Sequence, residues 1–208
     1  MRLDAAAIGA RNRAMRLQAM TLMSAILSTA CGGSSEDVVQ GAPLTAEEQV
    51  FFENGVDFVA DPEALEGQWR QDWSTELDQR IRRSDVVAYV KVSTLRTDVD
   101  LDRRTTFRLF VDEERELLGE VPAELMLRSK EGDRGYGTLR NNEQRLLNGR
   151  FVLFLKWELP EGASELVPRW HLSPNVEAVA QRVEYLLERR REVQVRERGR
   201  VIVHEHED

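Results

Sequence analysis

Residues 151–157 read FVLFLKW: five apolar residues in a row, one lysine, then a tryptophan. Seven residues suit a strand better than a helix, and the aromatic and β-branched content agrees. No polar residue alternates with the first five, so both faces of the strand are apolar. Such a strand belongs at the centre of a sheet, covered on both sides. Upstream, residues 86–92 (VVAYVKV) place Val86, Ala88, Val90 and Val92 opposite Val87, Tyr89 and Lys91, which is a second strand. Residues 105–112 (TTFRLFVD) put Phe107, Leu109 and Val111 on one face, and the charged link TLRTDVDLDRR reads as a hairpin loop. Residues 125–127 and 167–172 complete five expected strands, with GDRGYG (132–137) as an exposed loop and room for a helical turn in 139–148.

Helices flank these strands. Thr45 and Glu48 have the spacing of a capping box, and Asn54-Gly55 ends that first short helix. Asp61-Pro62 is expected to open a second, with Asp as N-cap and Pro at the first position. Leu65, Trp69, Trp73, Leu77 and Ile81 recur every four residues and form one stripe. The two tryptophans on it suit a core more often than a ligand platform. Ser173-Pro174 is expected to cap a C-terminal helix whose apolar positions are Val176, Val179, Ala180, Val183, Leu186 and Leu187. Beyond it, Val193 and Val195, a turn near Gly199, then Val201 and Val203 suggest a small hairpin; the alternative continues the helix through Arg191. The expected fold class is α+β: N-terminal helices, a small five-stranded antiparallel barrel or sheet, and a C-terminal helix.

The N-terminus carries a different signal. Arg11, Arg13 and Arg16 precede an apolar stretch from Ala19 to Ala30, which ends at Cys31, the chain's one cysteine. About a dozen residues match a signal-peptide core and fall short of the roughly 20 needed to cross a bilayer. Ser28, Thr29 and Ala30 are small, as a signal peptidase requires. Met15 offers an alternative start with the same mature product. Four regions are expected: a signal peptide at 1–30, a flexible tether at 31–43 (GGSSEDVVQGAP after the cysteine), a helical segment at 44–83, and a β-rich domain with C-terminal helix and short tail at 84–208.

The chain has 29 Lys+Arg and 37 Asp+Glu; without residues 1–30 the counts are 25 and 36. That acidic surface argues against nucleic acid and anionic headgroups as partners. With one cysteine, no intrachain disulfide is available and the fold must rest on its core.

Three constellations could carry chemistry. Asp98, Asp100 and Asp102 alternate as in a calcium loop. The EF-hand pattern needs Gly and Glu where this chain has Arg103 and Leu109, so a solvated hairpin tip is the simpler expectation. His204 and His206, with acids around them, could take a divalent metal, though a frayed polar tail accounts for them. His171 falls between a strand and an expected helix start, where the helix dipole would keep the ring neutral. It is the best candidate for a catalytic base, but no nucleophile motif accompanies it, and a structural histidine is the default. Glu76 with Asp78, and Glu113, Glu114 and Glu116, could pair as carboxylates but resemble ordinary surface acids. No cofactor is expected.

Two resemblances extend these observations. LSTAC at 27–31 resembles a bacterial lipobox, departing from it in having Ser28 where leucine is usual and Leu27 one position earlier. The resemblance implies lipid on Cys31, a membrane anchor in the cell envelope and, with Gly32 next, the outer membrane. Residues 84–190 resemble an oligonucleotide/oligosaccharide-binding barrel of the netrin-like kind. The features that carry this are VVAYVKV, Leu118-Gly119, and the late apolar strand after Gly149. No functional residue carries over from it. Together they imply a non-catalytic envelope lipoprotein that binds another envelope protein or a glycan. The alternatives are a hydrolase using His171 and a weak metal-binding lipoprotein.

Overall fold

The computed structural model describes residues 41–204, with side chains to residue 196. The expected signal peptide, Cys31, His206 and the side chain of His204 lie outside the described residues.

The strands are β1 (Gly55–Val56), β2 (Val86–Val99), β3 (Thr105–Leu118), β4 (Met126–Lys130), β5 (Arg150–Glu158) and β6 (Val167–Pro174). They form one curled, mixed sheet in the order β1-β6-β5-β2-β3-β4. The α+β class is therefore as expected, but the sheet has six strands. The extra one, β1, runs parallel to β6 through Gly55↔His171 and Val56↔Leu172. Two residues are too few to leave a period in the sequence, which is why Asn54-Gly55 reads there only as a stop signal. Strands β2 and β3 run further than their patterns, and the turn between them shrinks to residues 100–104. A register shift at Val92/Thr94 marks where β2 leaves β5 and continues paired with β3 alone. Bulges of this kind bend a strand and let a sheet curl.

The segment FVLFLKW does sit in mid-sheet, between β6 and β2. Its alternate side chains feed two cores. Phe151, Leu153 and Leu155 join Val86, Ala88, Val90, Phe107, Leu109, Trp170 and Leu172 inside the curl. This core is closed at one end by Tyr136 and Leu139 of α3 (Tyr136–Arg140) and Leu146 of α4 (Glu143–Leu146). On the other face, Val152 and Phe154 pack with Val87 and Tyr89 under two helices, α2 (Gly67–Arg83) and α5 (Glu177–His204). Trp73, Leu77 and Ile81 come from α2; Val179, Val183, Leu186 and Leu187 come from α5. Each fully buried Leu or Phe contributes roughly 1.5–3 kcal/mol of transfer free energy.

Local capping largely follows the sequence. Helix α1 (Ala46–Gln49) carries the capping box: Glu48 N donates to Thr45 Oγ1 at 3.2 Å and Thr45 N to Glu48 Oε2 at 3.0 Å. Asp61 instead caps a single 3-10 turn, Pro62–Ala64. Extended Leu65 and Glu66 separate that turn from α2, which opens on Gly67 at φ +53°. Of the α2 stripe, Trp73, Leu77 and Ile81 are buried, whereas Trp69 is 76 % exposed in the first turn.

Three expectations need correction near the C-terminus and in the loop. Ser173-Pro174 is still strand, and α5 starts at Glu177. The tail hairpin is absent: α5 continues to His204, leaving Val193 and Val195 exposed. Extending a formed helix costs less than starting a four-residue alternating strand with nothing beside it. The loop 132–137 is docked: Gly135 is buried against Gly55, and Gly135 N donates to Glu53 O at 3.0 Å. Among the described residues no helix is long and apolar enough to cross a membrane.

Candidate functional site

The most concentrated polar chemistry lies where β1 meets β6. Positions 171 and 173 of β6 point to the same side, and both reach Asp57, just past β1. His171 Nε2 lies 3.0 Å from Asp57 Oδ2, and Ser173 Oγ donates to the same oxygen at 2.6 Å. From α2, Arg80 approaches Asp57 Oδ2 at 3.8 Å, holds Glu76 Oε2 at 2.8 Å and donates through Nε to Phe51 O at 3.2 Å. His171, Ser173 and Arg80 are all buried. The group thus clamps the β1 segment between the sheet and α2.

Serine, histidine and aspartate in contact invite comparison with a hydrolytic triad. There the serine hydroxyl donates to the histidine, and the histidine to the aspartate. Here serine and histidine share one acceptor, so no proton path runs from Ser173 through His171. Both side chains are also shut off from solvent. Burial, and then the Arg80 charge, push His171 down to about 4 against the pull of Asp57. The ring is neutral for that reason and not because of a helix terminus, which lies at Glu177. Burial pulls Asp57 upward, but the bonds from His171 and Ser173 and the charge of Arg80 outweigh it and hold the carboxyl below its usual range. The second ring nitrogen, Nδ1, is buried without a hydrogen-bond partner, with Glu53 Oε1 at 3.9 Å. Burial raises the Glu53 carboxyl, with Arg80 opposing.

A groove of about 500 Å³ opens beside this clamp, between β4 and β6. The sheet is unpaired along this seam; among the described residues the hydrogen bond that crosses it is Trp170 Nε1 donating to Arg128 O at 3.0 Å. Arg128, Lys130, Asp133, Glu165 and Arg169 supply its charge, and Met126, Leu166, Val167 and two prolines its apolar walls. Among the described residues neither Arg128, Lys130 nor Arg134 forms an ion pair. Arg169 is tied by Nε to buried Glu158 Oε2 at 2.5 Å.

Asn54 organises the rim and was not legible as a site residue. It sits at φ +55°, a conformation Asn tolerates better than most residues. Its N–H donates to Trp170 O at 2.9 Å, Oδ1 accepts from Trp170 N at 3.3 Å, and Nδ2 donates to Asp133 Oδ2 at 3.1 Å. Asp133 also accepts from Lys130 N at 2.8 Å. A smaller cleft continues past the rim along Glu53 and Arg134.

The other candidates lie apart from the groove lining. At the β2–β3 turn, Asp98 pairs closely with Arg108, Asp100 Oδ1 accepts from Arg104 N at 2.8 Å, and Asp102 is exposed. Among the described residues no three His, Cys, Asp or Glu side chains are gathered to hold a metal. Glu76 is committed to Arg80, Asp78 to Arg82 and Glu114 to Arg150, while Glu116 accepts from Val121 N. Glu113 is exposed on β3.

No protein-family model matches the chain, and no curated protein matches it.

Proposed function

We propose that this chain is a lipid-anchored envelope protein, held by an acylated Cys31, whose domain is a non-catalytic binding module with the β4/β6 groove as its ligand site. The observation that carries this is the groove itself. It is the open seam of the sheet, of a volume normal for ligand sites, and it displays cations that have no ion-pair partner among the described residues beside an apolar wall. The buried His171 group, by contrast, is spent on holding β1 to β6 and α2.

An oligosaccharide-binding type of barrel remains our proposal for the finer fold. Strands β5, β2, β3 and β4 lie in Greek-key order, with the long connection through α3 and α4 returning β5 beside β2. Strand β6 follows β5, and the partly open side lies between β4 and β6, as in a five-stranded, partly open barrel of this kind. In that comparison β1 is an addition to the edge of β6. A module anchored on the outer membrane would meet another envelope protein or a glycan without needing a cofactor.

The anchor is tested by mass spectrometry of the native N-terminus, which should show acyl chains on Cys31; a Cys31→Ser protein should be released in soluble form. The binding module is tested by complementation in a strain lacking the gene. A folded His171→Gln protein should restore function, and Glu165→Trp, which fills the groove from an exposed loop, should not. The opposite pattern would make the His171 group the working site.

A further inference from the structure

We infer that the groove takes an acidic oligosaccharide, a ligand bearing both carboxylates and free hydroxyls; this rests on the groove being the binding site. Arg128 and Lys130 occupy alternate positions of β4, so both project to one side, roughly 7 Å apart along the strand. Both are exposed and neither is ion-paired among the described residues. On a chain with 37 acidic and 29 basic residues, this is a local concentration of free positive charge. Arg134 extends it past the rim.

The same groove also holds carboxylates. Exposed Glu165 and half-buried Asp133 line it with Arg128 and Lys130. A ligand made only of anionic groups, such as a polyphosphate or a nucleic acid, meets repulsion from these two. A saccharide with acid groups satisfies both halves: its carboxylates accept from arginine and lysine, and its hydroxyls donate to Glu165 and Asp133.

A strand-adding peptide fits less well. Charged side chains on a free edge oppose strand addition, and β4 carries Arg128 and Lys130 there. Across the seam, Pro168 has no N–H to offer, and Trp170 N and O are already taken by Asn54.

The test titrates the full-length acylated protein, in detergent micelles, with oligogalacturonate, a neutral malto-oligosaccharide of equal length, inorganic polyphosphate and poly-glutamate. Oligogalacturonate should bind best. Arg128→Glu with Lys130→Glu should weaken it about tenfold or more. The milder Arg128→Gln, Lys130→Gln pair should act in the same direction, both proteins keeping the wild-type circular dichroism and melting curve. Glu165→Gln should weaken oligogalacturonate but tighten polyphosphate, because it exchanges a charged hydroxyl acceptor for a weaker neutral one and removes a repulsion. The inference falls if polyphosphate, poly-glutamate or the neutral sugar binds as well as oligogalacturonate. It falls equally if the charge-reversed protein binds unchanged, or if oligogalacturonate does not bind. If Glu165→Trp abolishes complementation while no acidic sugar binds, the groove stands and the ligand class is wrong.

Discussion

His171 shows how much a residue's surroundings decide. Its sequence position suggests a candidate base; in the fold it is a buried neutral ring tied to Asp57. That state has a measurable signature. The ring titrates near 4 when folded and near 6.5 when unfolded, so the unfolded chain takes up the proton first as pH falls. The stability associated with neutral His171 is therefore complete above about pH 6.5 and is lost progressively toward about pH 4. Asp57, held low, loses its contribution only below its ordinary value of 3.8. Raised Glu53 works in the opposite direction, favouring folding as pH falls. His171→Gln keeps an N–H donor for Asp57 and removes the titration. Urea unfolding of wild type and variant at pH 7, 6, 5 and 4 should show the shallower decline in the variant; parallel declines would mean that His171 is charged in the folded protein.

At the scale of elements, two glycines let the loop 132–135 close on β1. A Cβ on Gly135 would lie 2.2 Å from Gly55 Cα, and one on Gly55 would lie 2.6 Å from Gly135 Cα. Neither backbone can yield without parting the two segments, and Asn54 and Asp133 at the groove rim would part with them. Gly135→Ala is expected to cost about 1–3 kcal/mol in urea unfolding, as overpacking does. Gly137→Ala, where a Cβ meets open space, should be neutral or stabilising by up to about 1 kcal/mol as a helix residue. Equal costs for the two would remove the close approach as the cause. The longer elements were legible because their burial repeats with a local period: FVLFLKW, VVAYVKV and the α2 and α5 stripes each announce a face. Strand β1 and the docked loop were not, since glycine has no side chain to pattern and two residues make no period. The α5 tail misled because Val193 and Val195 alternate correctly for a strand that nothing pairs with.

Across the whole molecule, β2 and β5 belong to both cores. The two clusters therefore cannot separate without breaking the central strand pair. Trp170 reports the core inside the curl and Trp73 the core beneath the helices. Tryptophan fluorescence and far-ultraviolet circular dichroism should therefore give one coincident unfolding transition. Phe154→Ala, a truncation in the helix-side core, should lower both together by about 3–5 kcal/mol. Separate transitions would show that the helical layer melts from the sheet on its own.

Helices α1, α2 and α5, five of the six strands and the α+β class could be read from the chain alone, because they depend on which of a few neighbouring residues are apolar; α3 and α4 showed only as room for one helical turn. The candidate site could not. Its decisive contacts join Trp170 to Arg128 across 42 residues, Asn54 to Asp133 across 79, His171 to Asp57 across 114 and Ser173 to Asp57 across 116. No local period encodes such pairs. They arise when the sheet curls until β4 faces β6 and the segment after α1 is laid along β6. Only that three-dimensional closure turns Asn54 from a stop signal into the rim of a groove and His171 from a candidate base into a buried tie.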